Sequence, residues 1–171
     1  HGAVVPAGEP RRRRLPRHRL SGARPSSSDE VLRRAGDVSP FADRFDRVRA
    51  RMVELDVEVL CLSVGADLPW LCGYEAMPLE RLTMLVVPVD GSATLVVPGL
   101  EAPRVTERPE LFALRPWTET EDPVAIVADL VGPAVSVAVG DRTWARFVLD
   151  LQAALPSSQF VRSSSVTEAL R

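Results

Sequence analysis

The sequence predicts an α/β domain: a mixed, mainly parallel sheet with one inserted hairpin and helices on both faces. Three observations lead there. Short apolar runs of strand length alternate with longer stretches whose apolar residues recur every three or four positions. Asp90-Gly91 stands between two apolar runs as a hairpin signal. Ser39-Pro40 and Asp122-Pro123 each join a capping side chain to a residue suited to the first helical position.

Order is expected to begin at Ser39-Pro40. Phe41, Phe45, Val48, Met52 and Leu55 then follow at helical spacing, with charged residues between them, and the helix should end near Asp56. Val57–Ser63 reads as a strand with a buried run from Val59 to Leu62. Ala66–Cys72 reads as a short helix closed by Gly73, the residue that adopts a left-handed conformation most cheaply. A loop from Tyr74 to Glu80 leads into strands at Leu82–Val87 and Ala93–Val97. Leu100–Glu107 is expected to be helical, and Leu111–Leu114 a strand. A helix should run from Pro123 through Val131, followed by a strand at Val135–Val139. Trp144, Phe147, Val148, Leu151 and Leu155 define another amphipathic helix. Phe160-Val161 lies in a short strand, and Ser165 to Glu168 has capping-box spacing for a last helix.

Charge is unevenly placed. The 171 residues carry a net charge of -2 and are 46% hydrophobic, an ordinary globular composition. Residues 1–40 hold nine Arg against four acids, whereas residues 41–171 hold twelve Arg against nineteen acids. A basic extension on an acidic body is the reverse of a nucleic-acid-binding domain, whose basic footprint lies on the folded surface. Residues 1–38 are Arg- and Pro-rich and are expected to be a disordered extension, with too little apolar area to offset chain entropy. Every basic side chain is Arg, which points to a GC-rich coding sequence. The chain opens on His rather than Met, as expected of a fragment, a processed form or a misplaced start. With no membrane-length apolar run and no signal peptide, the expected compartment is the cytoplasm and no membrane partner is expected.

The chemistry-bearing residues are sparse. Both histidines, His1 and His18, precede the ordered region, so no imidazole is available there as base or metal ligand. Cys61 and Cys72 sit in apolar sequence and read as reduced, packed thiols. No P-loop, dinucleotide fingerprint, serine-nucleophile elbow or zinc motif is present. The acids are placed at helix ends and in loops, where solvation or capping accounts for them. No catalytic, cofactor-binding or metal-ligating residue is therefore expected in this chain. One segment does stand out, Pro69–Val87, where a capped turn delivers Trp70, Leu71 and Tyr74 and a loop carries Glu75, Met77, Glu80 and Arg81 into a buried strand. Aromatic, Met and Arg side chains clustered in a loop at a sheet end suit a contact surface.

Trp70-Leu71-Cys72-Gly73-Tyr74 resembles the aromatic–leucine–threonine–glycine–phenylalanine signature in the amino-terminal domain of the creatinase/prolidase/Xaa-Pro aminopeptidase family. The resemblance runs through the hairpin to Ser163–Arg171. It implies a ribonuclease H-like fold over residues 39–163, with 164–171 opening a linker helix to a carboxy-terminal catalytic domain beyond this chain. That domain, in the family, holds two divalent metal ions (manganese, cobalt or zinc) and cleaves the bond before proline. The resemblance further implies a homodimer or tetramer acting on proline-containing peptides. Arg81 occupies the position from which an Arg reaches the partner's substrate carboxylate in the creatinase branch, with Tyr74 and Trp70 as further candidate contacts across the dimer. Leu79 and Cys72 depart from that branch's pattern, which leaves peptide cleavage as the better parent activity. The rival expectation is a stand-alone peptide- or protein-binding module lacking an enzyme half. Nucleic-acid binding through the Arg-rich lead is a third, fainter one.

Overall fold

Successive residues of the inner strands are buried on opposite faces of the sheet, which sorts them into two separate cores and determines the architecture. In the computed structural model, which describes residues 1–2 and 39–171, Val59 and Cys61 of strand β1 (Val59–Leu62) face one core while Leu60 and Leu62 face the other. The remaining strands are β2 (Met84–Pro88), β3 (Ala93–Pro98), β4 (Phe112–Trp117), β5 (Ser136–Val139) and β6 (Gln159–Arg162). They form one six-stranded sheet in the order β4-β3-β2-β1-β5-β6. The pairs β1–β5, β3–β4 and β5–β6 are parallel, and β1–β2 and β2–β3 antiparallel. Helices α1 (Pro40–Glu54), α2 (Asp67–Cys72) and α5 (Ser164–Thr167) cover one face through Phe45, Val48, Met52, Leu68, Leu71 and Val166. Helices α3 (Pro123–Val131) and α4 (Ala145–Ala154) cover the other through Val127, Val131, Phe147 and Leu151. The expected mixed, mainly parallel α/β sheet with helices on both faces is the observed fold. Residues 39–171 belong to one compact unit; the extension expected at 1–38 lies, apart from its first two residues, outside the described residues.

Local signals succeed where a side chain has a near target. Asp122 caps α3 by accepting from the amides of Val124 (2.9 Å) and Ala125 (3.3 Å). Gly73 ends α2 at φ +78°, its amide donating to the Pro69 carbonyl at 2.9 Å. Asp56, at φ +52°, closes α1, and the Val57 amide reaches back to the Met52 carbonyl at 2.9 Å. This is a Schellman-type close in which Asp takes the left-handed position.

Three expectations are corrected. Ser39 does not cap α1 through its side chain; its carbonyl accepts from Ala42 and Asp43 instead. The helix expected over Leu100–Glu107 is only a 3₁₀ turn, Ala102–Arg104. Leu100 is 75% exposed, so no apolar face is buried that would sustain a longer helix. The capping box at Ser165–Glu168 does not form, because Ser165 Oγ donates to the Arg162 carbonyl at 2.7 Å and the last helix has already begun at Ser164. Strand β4 also runs further than expected, through Pro116 to Trp117. Its place at the edge of the sheet explains how a residue with no N–H to donate can be accommodated.

The turn after β4 carries a pH-sensitive contact. Arg115 Nη2 pairs with Glu121 Oε1 at 2.6 Å, and the Thr118 amide and hydroxyl donate to the other oxygen. The Arg115 hydrogen bond, aided by Thr118, holds the Glu121 carboxyl down at about 2 against an ordinary 4.5. A depressed folded-state value means this contact stabilises fully above about pH 4.5 and is lost as pH falls toward 2. The urea midpoint should therefore drop more between pH 5 and pH 3 in wild type than in Glu121→Gln. Parallel drops would remove Glu121 from the acid response.

Candidate functional site

The segment from Asp67 to Thr83 begins and ends in fixed structure and is mostly exposed from Glu75 to Arg81. At its start, helix α2 buries Leu68, Leu71 and Cys72 in the core, so the turn that follows leaves from a rigid base. At its end, Leu82 is fully buried and its carbonyl accepts from Trp117 Nε1 at 2.9 Å, while the Thr83 carbonyl accepts from Ser63 Oγ at 2.8 Å. Glu75, Met77, Pro78, Leu79, Glu80 and Arg81 between these anchors are exposed. Met77 and Leu79 remain 46% and 42% accessible, and Leu100 on the neighbouring loop is more so. Exposed apolar groups on two adjoining loops are what a docking surface presents.

The three side chains singled out from the sequence lie in different surroundings. Arg81 is exposed and pairs across the loop with Glu119 at 2.9 Å. Tyr74 is buried, and its hydroxyl donates to Glu101 Oε2 at 3.4 Å. Burial first, and then the Glu101 carboxylate, raise the Tyr74 hydroxyl above its usual range, so it stays protonated. Trp70 is half-buried against the core beneath Arg44, whose guanidinium carbon is 5.6 Å from its ring. Thus Arg81 faces outward, while Tyr74 and Trp70 brace the turn that leads to it.

Sequence reasoning missed the partners of these residues. Arg104 Nη1 donates to Glu101 Oε2 at 2.6 Å and meets Met77 Sδ at 2.9 Å, tying the loop to the 3₁₀ turn. Glu119 and Glu101 belong to segments far along the chain, and no spacing rule links them to residues 74–81. A second polar cluster was also missed. Asp67 Oδ2 accepts from Thr167 Oγ1 at 3.0 Å and Ser163 Oγ at 3.4 Å, and Asp67 Oδ1 pairs with Arg171 at 3.2 Å. Beside it, burial opposes ionisation of Asp141, but the Ser164 amide and hydroxyl and Arg162 outweigh that and hold its carboxyl low.

Neither cysteine is poised for chemistry. Both are free and buried, and desolvation pushes the Cys61 thiol up to about 12 and the Cys72 thiol up to about 11. Among the described residues, no three His, Cys, Asp or Glu side chains converge as metal ligands. These residues do not fit the pair of divalent ions that the resemblance implies for a separate domain, and no step through a metal is assigned to this chain. Also among the described residues, no helix is long and apolar enough to cross a membrane.

Residues 44–171 match the family model of the creatinase/prolidase N-terminal domain. Probable dipeptidase PepE of Mycobacterium tuberculosis is 33% identical over 123 residues, covering 70% of this chain and 33% of that protein. The chain thus spans about a third of the curated relatives it matches. The crystal structure of dipeptidase PepE from Mycobacterium ulcerans superposes with a TM-score of 0.69 at 31% identity, covering 77% of this chain and 36% of that one. The N-terminal domain of Xaa-Pro dipeptidase from Lactobacillus brevis superposes with a TM-score of 0.67 at 22% identity. That alignment covers 74% of this chain and 99% of that domain, and at this identity it bears on the fold.

Proposed function

This chain belongs to the creatinase/prolidase N-terminal domain family, and we propose that it serves as the non-catalytic N-terminal domain of a cytoplasmic Xaa-Pro peptidase, of the prolidase or aminopeptidase P kind. In this reading residues 39–163 form the domain and 164–171 begin the link to a catalytic domain holding two divalent metal ions. The domain mediates oligomerisation, and its exposed loop lines the active site of the partner subunit. The observation that carries the reading is the family match over residues 44–171, which includes every strand and most of α1.

Within that frame Arg81 is the substrate-facing group. A guanidinium on a solvent-exposed loop offers two parallel N–H donors to a carboxylate. Its pair with Glu119 involves side chains 41% and 69% exposed, so exchanging it for a substrate costs little. Tyr74 and Trp70 support the turn from behind, and the apolar groups of Met77 and Leu79 supply contact area.

Two experiments test this. The purified chain, given manganese or cobalt, should release no proline from an Xaa-Pro dipeptide; metal-dependent turnover would overturn the non-catalytic reading. In the full-length protein, Arg81→Ala should raise KM about tenfold or more, the scale of a lost charge-assisted hydrogen bond. Its stability should change by less than about 0.5 kcal/mol, as for an exposed ion pair. Unchanged KM would take Arg81 out of the cleft.

A further inference from the structure

Most arginines of the described chain have a carboxylate within 4.0 Å: Arg47, Arg51, Arg81, Arg104, Arg115, Arg162 and Arg171. Arg44 and Arg108 have none among the described residues, yet both lie against the same aromatic ring. The guanidinium carbon of Arg108 is 4.4 Å from the Phe41 centroid and that of Arg44 is 5.2 Å from it. The two cations are therefore within about 10 Å of each other, roughly one screening length in 0.1 M salt, and repel. Stacking on an aromatic face gives a structural reason for one guanidinium. It gives none for bringing a second, uncompensated one to the same ring.

Among the described residues their donors are largely unspent. A guanidinium has five N–H groups. Arg44 Nη1 donates to the Trp70 carbonyl at 2.6 Å, near the C-terminal end of α2, while Arg108 Nε is sealed from solvent without a partner. Gly73 stands close to this pair. It is exposed, and a Cβ at that position would stand 3.0 Å from Phe41 Cζ and 3.3 Å from Arg108 Nη2. The absent side chain avoids crowding the ring and the guanidinium.

We propose that Arg44 and Arg108, held on Phe41 beside the exposed Gly73 turn, form an oxyanion-binding site whose ligand is a carboxylate. Each planar fork can donate to both oxygens of such a group, and the arriving negative charge relieves the repulsion between the two cations. Phosphate shares this chemistry, so the test separates the two sources. The site is distinct from Arg81 and stands whether or not a catalytic domain accompanies this chain.

The test follows the Trp70 indole and Arg108 side-chain N–H resonances of the 171-residue chain at constant ionic strength. N-acetylalanine should give saturable shifts at both, and N-acetylalaninamide, which lacks the charge, should give none. Arg44→Gln and Arg108→Gln keep the stems in place and should each weaken binding at least tenfold with little change in Tm. Saturation by inorganic phosphate but not by the acid would keep the oxyanion site and reassign it to phosphoryl ligands. Equal responses to acid and amide in wild type, or non-saturable shifts with every anion, would overturn the proposal without recourse to any variant.

Discussion

Leu60→Ala is expected to destabilise the domain by about 3 kcal/mol, lowering Tm by about 10 °C. Leu60 is fully buried on β1, an inner strand hydrogen-bonded to β2 on one side and β5 on the other. It packs in the core that α1, α2 and α5 cover. Removing a buried isobutyl group loses its transfer free energy and leaves a cavity that paired strands on both sides cannot collapse to fill. Urea denaturation of wild type and variant measures this. A loss below about 1 kcal/mol would show that the site relaxes as an edge position does.

Asp67→Ala should cost about 2 kcal/mol and act locally. Ser163 and Thr167 are both fully buried, and their hydroxyls donate to the Asp67 carboxylate. Leaving buried donors unmet costs about 1–3 kcal/mol each. Alternatives reduce the loss: Thr167 Oγ1 also reaches the Ser163 carbonyl at 3.2 Å, and Ser163 Oγ lies 3.4 Å from Asp141 Oδ1. The ion pair with Arg171 adds little, since that guanidinium is 40% exposed. Amide hydrogen exchange should quicken over residues 163–171 and stay unchanged in β1–β3. Uniform acceleration across the sheet would mean that Asp67 supports the whole fold rather than this segment.

The elements that were legible in advance rest on short-range chemistry. Asp122-Pro123 announces α3 because an Asx side chain finds amides two and three residues ahead. Gly73 announces the end of α2 because few other residues reach φ +78° without strain. The Leu100–Glu107 stretch misleads because helical composition does not suffice where no apolar face is covered. Ser165 misleads because a hydroxyl with two targets takes the one that tertiary geometry presents, here the Arg162 carbonyl.

The candidate site divides the same way. Its loop was legible from residue types between Trp70 and Arg81, and so was the family. Its polar partners were not, because Glu119, Glu101 and Arg104 arrive from other turns at sequence separations of 27 residues or more.

Taken alone, the amino-acid order marks most of the strands and longer helices, which faces are apolar, and where the aromatic–glycine turn falls. All of these follow from period, capping and backbone freedom within a few residues. Only the tertiary structure decides that β1 lies between β2 and β5, that Tyr74 turns inward while Arg81 faces solvent, and that two arginines 64 positions apart share the Phe41 ring. The reason is physical: pairing and charge placement depend on which distant surfaces meet when both cores close, and no local interaction carries that information.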